Sequence, residues 1–321
     1  MTKKQSFELF VARMLYNVGL TNKSFDLLCR LKAAKSRLPG IDLLRAKCRV
    51  RQSLKIEAKE MLKEELRLHP NCEEAHRMLA NLDGVNLRDG RDYAPEFVEL
   101  FEDVEGYTMV GQARLFALYQ AAKDLCVNDC PGNFIECGVA GGGSSAMLAA
   151  VIKRYSRRER WLFCCDTFSG MPKPTQHDRH DGIHADDYGW GDGTCAAPLS
   201  SLIEITERLG AREYIRPVEG LFAETLPEVR SEVGSIALLH LDGDWYSSTM
   251  DILENLYSQV IEGGYLQADD YGFWEGCRQA IEEFQLRLGA PLDWKDIDGA
   301  GVFAWKQAEN AILARPAYAQ Q

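Results

Sequence analysis

Residues 236–244 read IALLHLDGD, and residues 264–271 read GYLQADDY. In both stretches an apolar run typical of a buried parallel strand leads directly into paired aspartates. Ligands of open α/β sheets bind at the carboxyl ends of strands, and four carboxylates gathered there need a cation to remain charged. Oxygen ligands suit Mg²⁺ or a similar hard ion. Aspartates also cap helices, but doubled acids at two strand ends exceed what capping needs. We therefore predict a metal or catalytic site formed by Asp242, Asp244, Asp269 and Asp270.

Length and composition limit the class of protein. The chain has 321 residues, which suits two domains or one large α/β domain with an appendage. Hydrophobic residues make up 46% and charged residues 26%, as in ordinary globular proteins. The net charge of -11 argues against a nucleic-acid binder, because phosphate backbones require a basic surface. No apolar run approaches the ~20 residues of a membrane span, and no signal peptide is recognisable, so we predict a cytoplasmic protein.

The ten cysteines are scattered along the chain and form no CxxC pair. Several of them lie in apolar, strand-like segments. This distribution predicts reduced, buried thiols and no disulfide framework.

The first part of the chain, residues 6–83, has helical periodicity throughout. Pro39 and Pro70 close two helices at a spacing close to the ~34-residue period of tetratricopeptide repeats. The similarity is weak, because Arg49 occupies a position where a small residue is expected. A helical appendage that packs on the main domain or on a second subunit is the alternative. We predict a helical region over residues 1–90 and a second domain over 91–321, with the boundary in the polar stretch 83–92.

Strands and helices alternate from about residue 111, which predicts a doubly wound α/β sheet. The segments include a short helix at 222–226, which ends before Pro227. The last two strands are predicted to be antiparallel around Asp298–Gly299. The predicted strands are 134–137, 161–165, 214–217, 236–241, 265–268, 292–297 and 301–305.

Residues 134–145, FIECGVAGGGSS, form a strand, a glycine-rich turn and a helix start. Such a turn lets a ligand approach the backbone, and the helix amino terminus favours anions. A nicotinamide fingerprint would place glycine where Ala140 stands. The acid Glu136, two positions before the first glycine, instead suggests an S-adenosylmethionine site, where its carboxylate can meet the cationic end of the cofactor. The predicted cofactor contacts here are Glu136, Gly138, Ala140, Gly142 and Ser144.

Asp166 ends the second predicted strand, roughly 20 residues after the glycine turn. An acid at this position hydrogen-bonds ribose hydroxyls in dinucleotide-binding sheets. Asp166 is therefore predicted to bind the ribose of the cofactor. The alternative is that it caps the turn formed by residues 167–170.

Five segments together resemble the macrocin O-methyltransferase family of the TylF and MycF type, over roughly residues 105–306. The L-D-G-D-x-Y-x-S-T and D-D-Y-G patterns are the specific part of this resemblance. The segments are 136–145, 166–172 (DTFSGMP), 241–249 (LDGDWYSST), 263–272 (GGYLQADDYG) and 276–278 (GCR).

The resemblance implies a class I, Rossmann-like methyltransferase fold with an antiparallel last strand. It also implies S-adenosylmethionine as methyl donor and Mg²⁺-dependent transfer to a hydroxyl of a sugar or other small natural product, in an enzyme that is a homo-oligomer. The metal ligands carried over are Asp242, Asp269 and Asp270. The further cofactor contacts are Thr167, Phe168, Glu219, Gly220 and Asp242.

The related catechol-type enzymes carry a lysine base three positions after their first metal aspartate, and this chain has Trp245 there. The proton acceptor is therefore expected to be Asp242, Asp244 or a histidine outside the motif. His240, inside the fourth strand, is interpreted as a core histidine. Tyr107 and Met109 either line the pocket or pack under a helix start.

Residues 173–197 form a long polar loop with three histidines, His177, His180 and His184. Three interpretations stay open: a solvated loop, a lid that contacts substrate, and a zinc site. Two alternatives to a methyltransferase also stay open. One is a nicotinamide-dependent oxidoreductase, and the other is a helical-repeat interaction protein with a catalytically silent α/β domain.

Overall fold

The computed structural model describes residues 3–34, 38–52, 54–84, 93–289 and 291–307. The chain forms two compact units. The helical unit comprises Met1–Asp92 together with Gly182–Cys195, and the sheet unit comprises Tyr93–Asp181 and Ala196–Gln321. The boundary predicted at residues 90/91 falls within 85–92, outside the described residues. A single cut there leaves out the return of the chain to the helical unit at residue 182.

The helices follow the apolar periodicity of the sequence. In chain order they are α1 (Lys3–Asn17), α2 (Thr21–Ala33), α3 (Ile41–Arg51), α4 (Lys55–Leu68), α5 (Glu73–Gly84), α6 (Pro95–Val104), α7 (Gln112–Val127), α8 (Gly143–Tyr155), α9 (Ala185–Tyr188), α10 (Leu199–Arg208), α11 (Phe222–Val233), α12 (Tyr246–Leu256) and α13 (Glu275–Leu288). The strands are β1 (Asn133–Cys137), β2 (Leu162–Asp166), β3 (Arg179–His180), β4 (Ile183–His184), β5 (Ile215–Glu219), β6 (Ile236–Leu241), β7 (Val260–Ala268), β8 (Lys295–Asp296) and β9 (Val302–Trp305).

The sheet unit contains a seven-stranded sheet in the order β5-β2-β1-β6-β7-β9-β8. The first five strands of that order are parallel, and β9 runs antiparallel between β7 and β8. All six residues of β6 are buried, which explains why its sequence is an uninterrupted apolar run apart from His240. The predicted doubly wound α/β fold with an antiparallel end is confirmed, as is the helical amino-terminal region.

Several element boundaries differ from the sequence prediction; β7, for example, begins at Val260 and not at residue 265. Two other differences are as follows. Helix α11 continues past Pro227 to Val233, whereas we predicted a short helix that ends before the proline. A proline removes a single helical hydrogen bond, and the burial of Leu226 and Val233 on the same helix offsets that loss. Strand β8 covers only Lys295–Asp296, because the apolar residues before it pair with no neighbouring strand.

The helical unit packs successive helices against one another. Ala12 on α1 and Ala46 on α3 are fully buried and lie about one tetratricopeptide period apart. Arg49 fits where a small residue was expected because its guanidinium lies 3.6 Å from the centre of the Phe25 ring and its Nε lies 2.7 Å from Glu57. The assignment to tetratricopeptide repeats stays a prediction.

A network of buried ion pairs joins α2, α3 and α4 in this unit. Lys32 Nζ lies 2.6 Å from Asp42 and 2.9 Å from Glu64, and Arg45 lies 2.7 Å from the second oxygen of Asp42. Burial alone would raise the pKa of Asp42, but the two cations outweigh it and lower the pKa. Such a network tolerates the removal of one partner poorly, since an unpaired charge then stays buried.

The segment Gly182–Cys195 folds as part of the helical unit although it is distant in sequence. The Tyr188 ring is fully buried. The Tyr188 hydroxyl donates to Glu57, and the same hydroxyl accepts from Arg49 Nη2 at 2.8 Å. The Tyr188 carbonyl accepts from Arg45. The second half of the predicted loop is therefore part of the helical unit, and its residues 185 and 188–191 are buried there.

We expect Asp42→Ala to lower the free energy of unfolding by about 3–5 kcal/mol, because Lys32 and Arg45 lose their shared partner inside the unit. Glu74→Ala is the matched control, since Glu74 forms an ion pair with Lys47 and half of its side chain is exposed (51%). The control is expected to change stability by less than about 1 kcal/mol. Urea unfolding followed by circular dichroism measures both, and equal effects would contradict the network.

Candidate active site

The tips of four parallel strands are joined side by side by backbone hydrogen bonds. The Asp242 amide donates to the Cys137 carbonyl at 2.8 Å, and the Asp269 amide donates to the Leu241 carbonyl at 2.9 Å. The Gly138 amide donates to Cys165 at 2.9 Å. The ladder thus extends one residue beyond β1, β6 and β7, and it places the glycine turn beside the aspartate loops.

The glycine turn leaves no room for a side chain at any of its four glycines, and two of these also have a positive φ. Gly138 has φ +100°, and a Cβ atom there would lie 1.8 Å from the carbonyl oxygen of Asp242. Gly142 has φ +92°, and a Cβ atom there would lie 2.7 Å from the Cα of Leu202. Ala140 also adopts a positive φ, +44°, so it takes the backbone shape of the glycine that it replaces. Ser144 is buried in the first turn of α8.

Asp166 fastens the glycine turn to β2. Its Oδ2 accepts from the amides of Val139 at 2.7 Å and Ala140 at 2.9 Å, and its Oδ1 accepts from Phe168 at 2.7 Å. Oδ1 therefore caps the turn at residues 167–170, as the alternative expected, whereas Oδ2 binds the glycine turn. A carboxylate has about four lone-pair directions, so Asp166 keeps capacity for about one further donor.

The remaining predicted cofactor contacts surround Asp166. Phe168 is buried with φ +50°, and the Thr167 hydroxyl donates to Gly170 at 2.7 Å. Glu219 pairs in register with Asp166 and is exposed, and the Gly220 amide donates to the Asp166 carbonyl at 3.0 Å. The structure thus brings these residues to the same edge of the sheet.

Three of the four predicted acids meet at this edge. One carboxylate oxygen each from Asp242, Asp244 and Asp270 lies within 4.8 Å of the other two. Burial raises the pKa of Asp242 well above its usual range, and Asp269, Asp270 and Asp244 raise it further. A set of mutually repelling carboxylates with this spacing suits a hard divalent cation.

Asp269 lies beside this cluster and faces two cationic side chains. Its Oδ2 accepts from Arg114, which also lies 3.1 Å from Asp298, and its Oδ1 lies 3.5 Å from His240 Nε2. Only 3% of Asp269 is exposed. Its predicted role as a metal ligand stays a prediction, because the three oxygens that converge belong to Asp242, Asp244 and Asp270.

Glu136 is fully buried beneath the glycine turn. Its Oε1 lies 2.8 Å from His240 Nδ1, and its Oε2 accepts from the Ser145 hydroxyl. Both oxygens therefore bind protein groups, which leaves no exposed oxygen for the predicted cofactor contact. Burial opposes the charge of His240, but Asp269 and Glu136 outweigh it and raise the pKa of His240 to about 9.

Asp244 is held in an unusual conformation by a tryptophan. It has φ +55°, in the left-handed region, and its Oδ1 accepts from Trp274 Nε1 at 3.1 Å. Trp245 occupies the position at which the catechol-type enzymes carry a lysine base. Its ring contacts the Trp274 ring edge to face, with 4.9 Å between the ring centres. Strained backbone of this kind concentrates at functional sites.

The first half of the predicted loop is fixed to the aspartate loop. The fully buried Asp178 accepts from the Tyr246 amide at 2.7 Å and from the Thr175 amide at 2.6 Å. His177 stacks on Tyr246, and His180 stacks on Phe273. The wholly solvated interpretation is wrong for this half, in which His177 and His180 each have an aromatic partner.

Sequence reasoning missed Arg114, Asp178 and Trp274 as supports of the site. One feature of the sequence could have indicated other buried supports of the site: three apolar strands each have a polar residue one position before their end. These residues are Glu136, His240 and Gln267. Nothing local in the sequence distinguishes Arg114 on α7 or Asp178 in the loop, because their partners lie far away along the chain.

Comparison with known proteins defines the class and then the family. The solved structure of the O-methyltransferase NovP is similar to this chain with a TM-score of 0.57 and 28% identity, and the match covers 63% of this chain and 83% of NovP. A model of the family described as "Macrocin-O-methyltransferase (TylF)" matches residues 45–307. The chain belongs to this family and is an O-methyltransferase by that membership.

Two curated relatives are similar over the same part of the chain. The 8-demethyl-8-(2,3-dimethoxy-alpha-L-rhamnosyl)-tetracenomycin-C 4'-O-methyltransferase of Streptomyces olivaceus is 35% identical, over 66% of this chain and 80% of its own length. The demethyldecarbamoylnovobiocin O-methyltransferase of Streptomyces niveus is 30% identical, over 63% and 76%.

The family prediction is confirmed. The limits predicted for the resemblance are wrong at the amino end, since the family match begins in α3 and not near residue 105. Neither the oxidoreductase nor the silent interaction protein is favoured by these relatives.

We expect Gly138→Ala to lower the free energy of unfolding by about 3 kcal/mol or more, because the new methyl group would overlap the Asp242 carbonyl. Gly289→Ala is the control, because Gly289 also has a positive φ (+67°), in the left-handed region, but open space around its Cα. Backbone strain alone costs about 1–2 kcal/mol there. Similar losses of stability, measured by thermal unfolding of both variants, would contradict the close approach.

Proposed function

We propose that the chain transfers a methyl group from S-adenosylmethionine to a sugar hydroxyl of a small natural product, with a divalent cation such as Mg²⁺ at the aspartate cluster. The observation that carries the proposal is the contact between the glycine turn and Asp242. A donor held by the turn and a cation held by the acids would then be neighbours, as direct methyl transfer requires.

The residues at the edge of the sheet fit the donor. Gly138, Ala140 and Gly142 have no bulky side chains, so the donor can approach their backbone. The amino end of α8, with Ser144 in its first turn, follows the glycine turn directly. Asp166, beside Thr167 and Phe168, is proposed to accept from the ribose hydroxyls, and Glu219 and Gly220 to border the adenine. When bound, S-adenosylmethionine supplies an electrophilic methyl group on a good leaving group. Glu136 is proposed to support the turn from below.

We assign the cation to Asp242, Asp269 and Asp270, with Asp244 beside them. A bound Mg²⁺ supplies positive charge that orients acceptor oxygens and lowers the pKa of the reacting hydroxyl. Asp242 and Asp270 offer converging oxygens. Among the neighbouring carboxylates, Asp269 raises the pKa of Asp242 most. The fit rests on four acids that repel one another in the absence of a cation.

Asp244 is the proposed proton acceptor. The Trp274 indole donates to its Oδ1 and so orients the carboxylate, one oxygen of which lies among the converging carboxylates. The ring of Trp245, nearly fully buried next to it, excludes water from this side of the loop. Asp242, the other acid predicted to be catalytic, would hold the cation next to the hydroxyl that loses its proton.

The relatives support a glycosylated acceptor. One is named for a rhamnosyl-bearing tetracenomycin and another for demethyldecarbamoylnovobiocin. A sugar also offers neighbouring hydroxyls, which chelate a cation better than one isolated hydroxyl. The cytoplasmic location and the homo-oligomer stay predictions, and no helix of the described residues is both long and apolar enough to cross a membrane.

Removal of the cation is expected to abolish methyl transfer. We predict that EDTA lowers turnover by about 10²-fold or more, that added Mg²⁺ restores it, and that Asp242→Asn and Asp270→Asn lose it by a similar factor. Asp293→Asn is the control, because Asp293 is 56% exposed and forms its ion pair with Lys295. Release of labelled methyl product is the measurement, and full turnover in EDTA would reject the cation.

Neighbouring hydroxyls on the acceptor are expected to matter. With a rhamnoside and its deoxy analogue lacking the hydroxyl next to the methylated one, we predict kcat/KM about tenfold or more lower for the analogue. Steady-state kinetics with both compounds at saturating donor test this. Equal kcat/KM values would show that chelation by a diol is not used.

A further inference from the structure

A row of buried polar side chains crosses the centre of the sheet. Glu136 on β1 pairs in register with His240 on β6, which pairs with Gln267 on β7. All three residues have 0% exposure, and the other buried residues of these strands are hydrophobic or glycine. Buried polar groups lower stability unless they are bonded, and apolar residues of similar size would serve packing better. Such a row therefore indicates a role beyond packing.

His240 is the centre of this row and contacts two carboxylates. Its Nδ1 lies 2.8 Å from Glu136 Oε1, under the glycine turn, and its Nε2 lies 3.5 Å from Asp269 Oδ1. The far oxygen of Asp269 accepts from Arg114. The Asp269 carboxylate thus lies between a histidine on one side and an arginine on the other.

We propose that His240 is a positioning residue that holds the Asp269 carboxylate for the cation and ties it to the glycine turn through Glu136. The inference rests on the cation site of the proposed function. His240 itself is not a ligand here, because its ring nitrogens face Glu136 and Asp269 and its side chain is closed off from the surface.

The chemistry of the imidazole ring suits this task. Its two nitrogens lie on different edges of a rigid ring, so one side chain can donate to two carboxylates at once. An asparagine at the same position has one donating amide group, near the position of Nδ1. A glutamine also has one, near the position of Nε2. Ligating carboxylates are commonly oriented by such partners, and loss of a partner typically costs about 10–100-fold in metal affinity.

Gln267 completes the support from the other side. Its amide donates to the Arg114 carbonyl at 3.2 Å, and its carbonyl oxygen accepts from the Tyr265 hydroxyl at 2.9 Å. Helix α7, which carries Arg114, is thereby fixed against the same face of the sheet. The orientation of Asp269 consequently depends on three successive strands and not on its own loop alone.

The test compares His240→Asn with His240→Gln by calorimetric titration of Mn²⁺ into the full-length chain without donor. His240→Asn keeps the donor toward Glu136 and loses the one toward Asp269. We expect its Mn²⁺ affinity to fall about 10–100-fold. His240→Gln keeps a donor toward Asp269, and its affinity is expected to stay within about threefold of wild type. In an Asp269→Asn background, His240→Asn should add little further loss.

Wild-type affinity in both variants, or equal losses in both, would overturn the inference and leave His240 as a packing residue. Additive losses with Asp269→Asn would also overturn it. A wild-type chain that binds no Mn²⁺ at all would instead contradict the cation site of the proposed function, and the inference with it.

Should the variants not fold, the wild-type chain still decides. The ring nitrogen resonances of His240, observed by nuclear magnetic resonance, are expected to shift when Mg²⁺ saturates the protein. They should stay unmoved in Asp269→Asn. Ring resonances that ignore Mg²⁺ in the wild type, while calorimetry detects the bound ion, would overturn the inference.

Discussion

The close approach of Gly138 to the carbonyl oxygen of Asp242 is the constraint on which the rest of the site depends. Because no side chain fits between them, the turn after β1 and the loop after β6 touch through their backbones. Parallel strands supply this contact automatically, since their carboxyl ends share an edge. The glycine turn and the acidic cluster are therefore parts of one construction, and a change in either displaces the other.

Charge is balanced around this contact in two layers. The outer layer holds converging carboxylates, whose mutual repulsion raises the pKa of Asp242. The inner layer pairs carboxylates with cations, since Asp269 and Glu136 face Arg114 and His240. Burying a charge is unfavourable, and this pairing offsets part of that cost in the inner layer. In the outer layer the carboxylates repel one another, and this is the repulsion that the proposed cation would relieve.

Much of this arrangement was accessible from the sequence, for a physical reason. Apolar runs that end in acids define the strand tips, so Asp166, Asp242 and Asp270 were found from local pattern alone. Partners that meet only through the fold were missed, among them Arg114 and Trp274. The direction of a side chain was equally inaccessible: Glu136 belongs to the turn motif by spacing, yet it points into the core toward Ser145. Helix α11 was cut short because packing outweighed the local effect of Pro227.

The return of Gly182–Cys195 to the helical unit has a consequence for how this chain can be divided. The polypeptide leaves the sheet unit after Asp181 and re-enters it at Ala196, so two peptide connections, and not one, join the units in addition to the junction near residue 92. A gene fragment that starts at Tyr93 would expose the buried rings of Tyr188 and Trp190 to water. The helices are thus an integral part of the fold, and a shortened recombinant enzyme would have to be redesigned at this excursion.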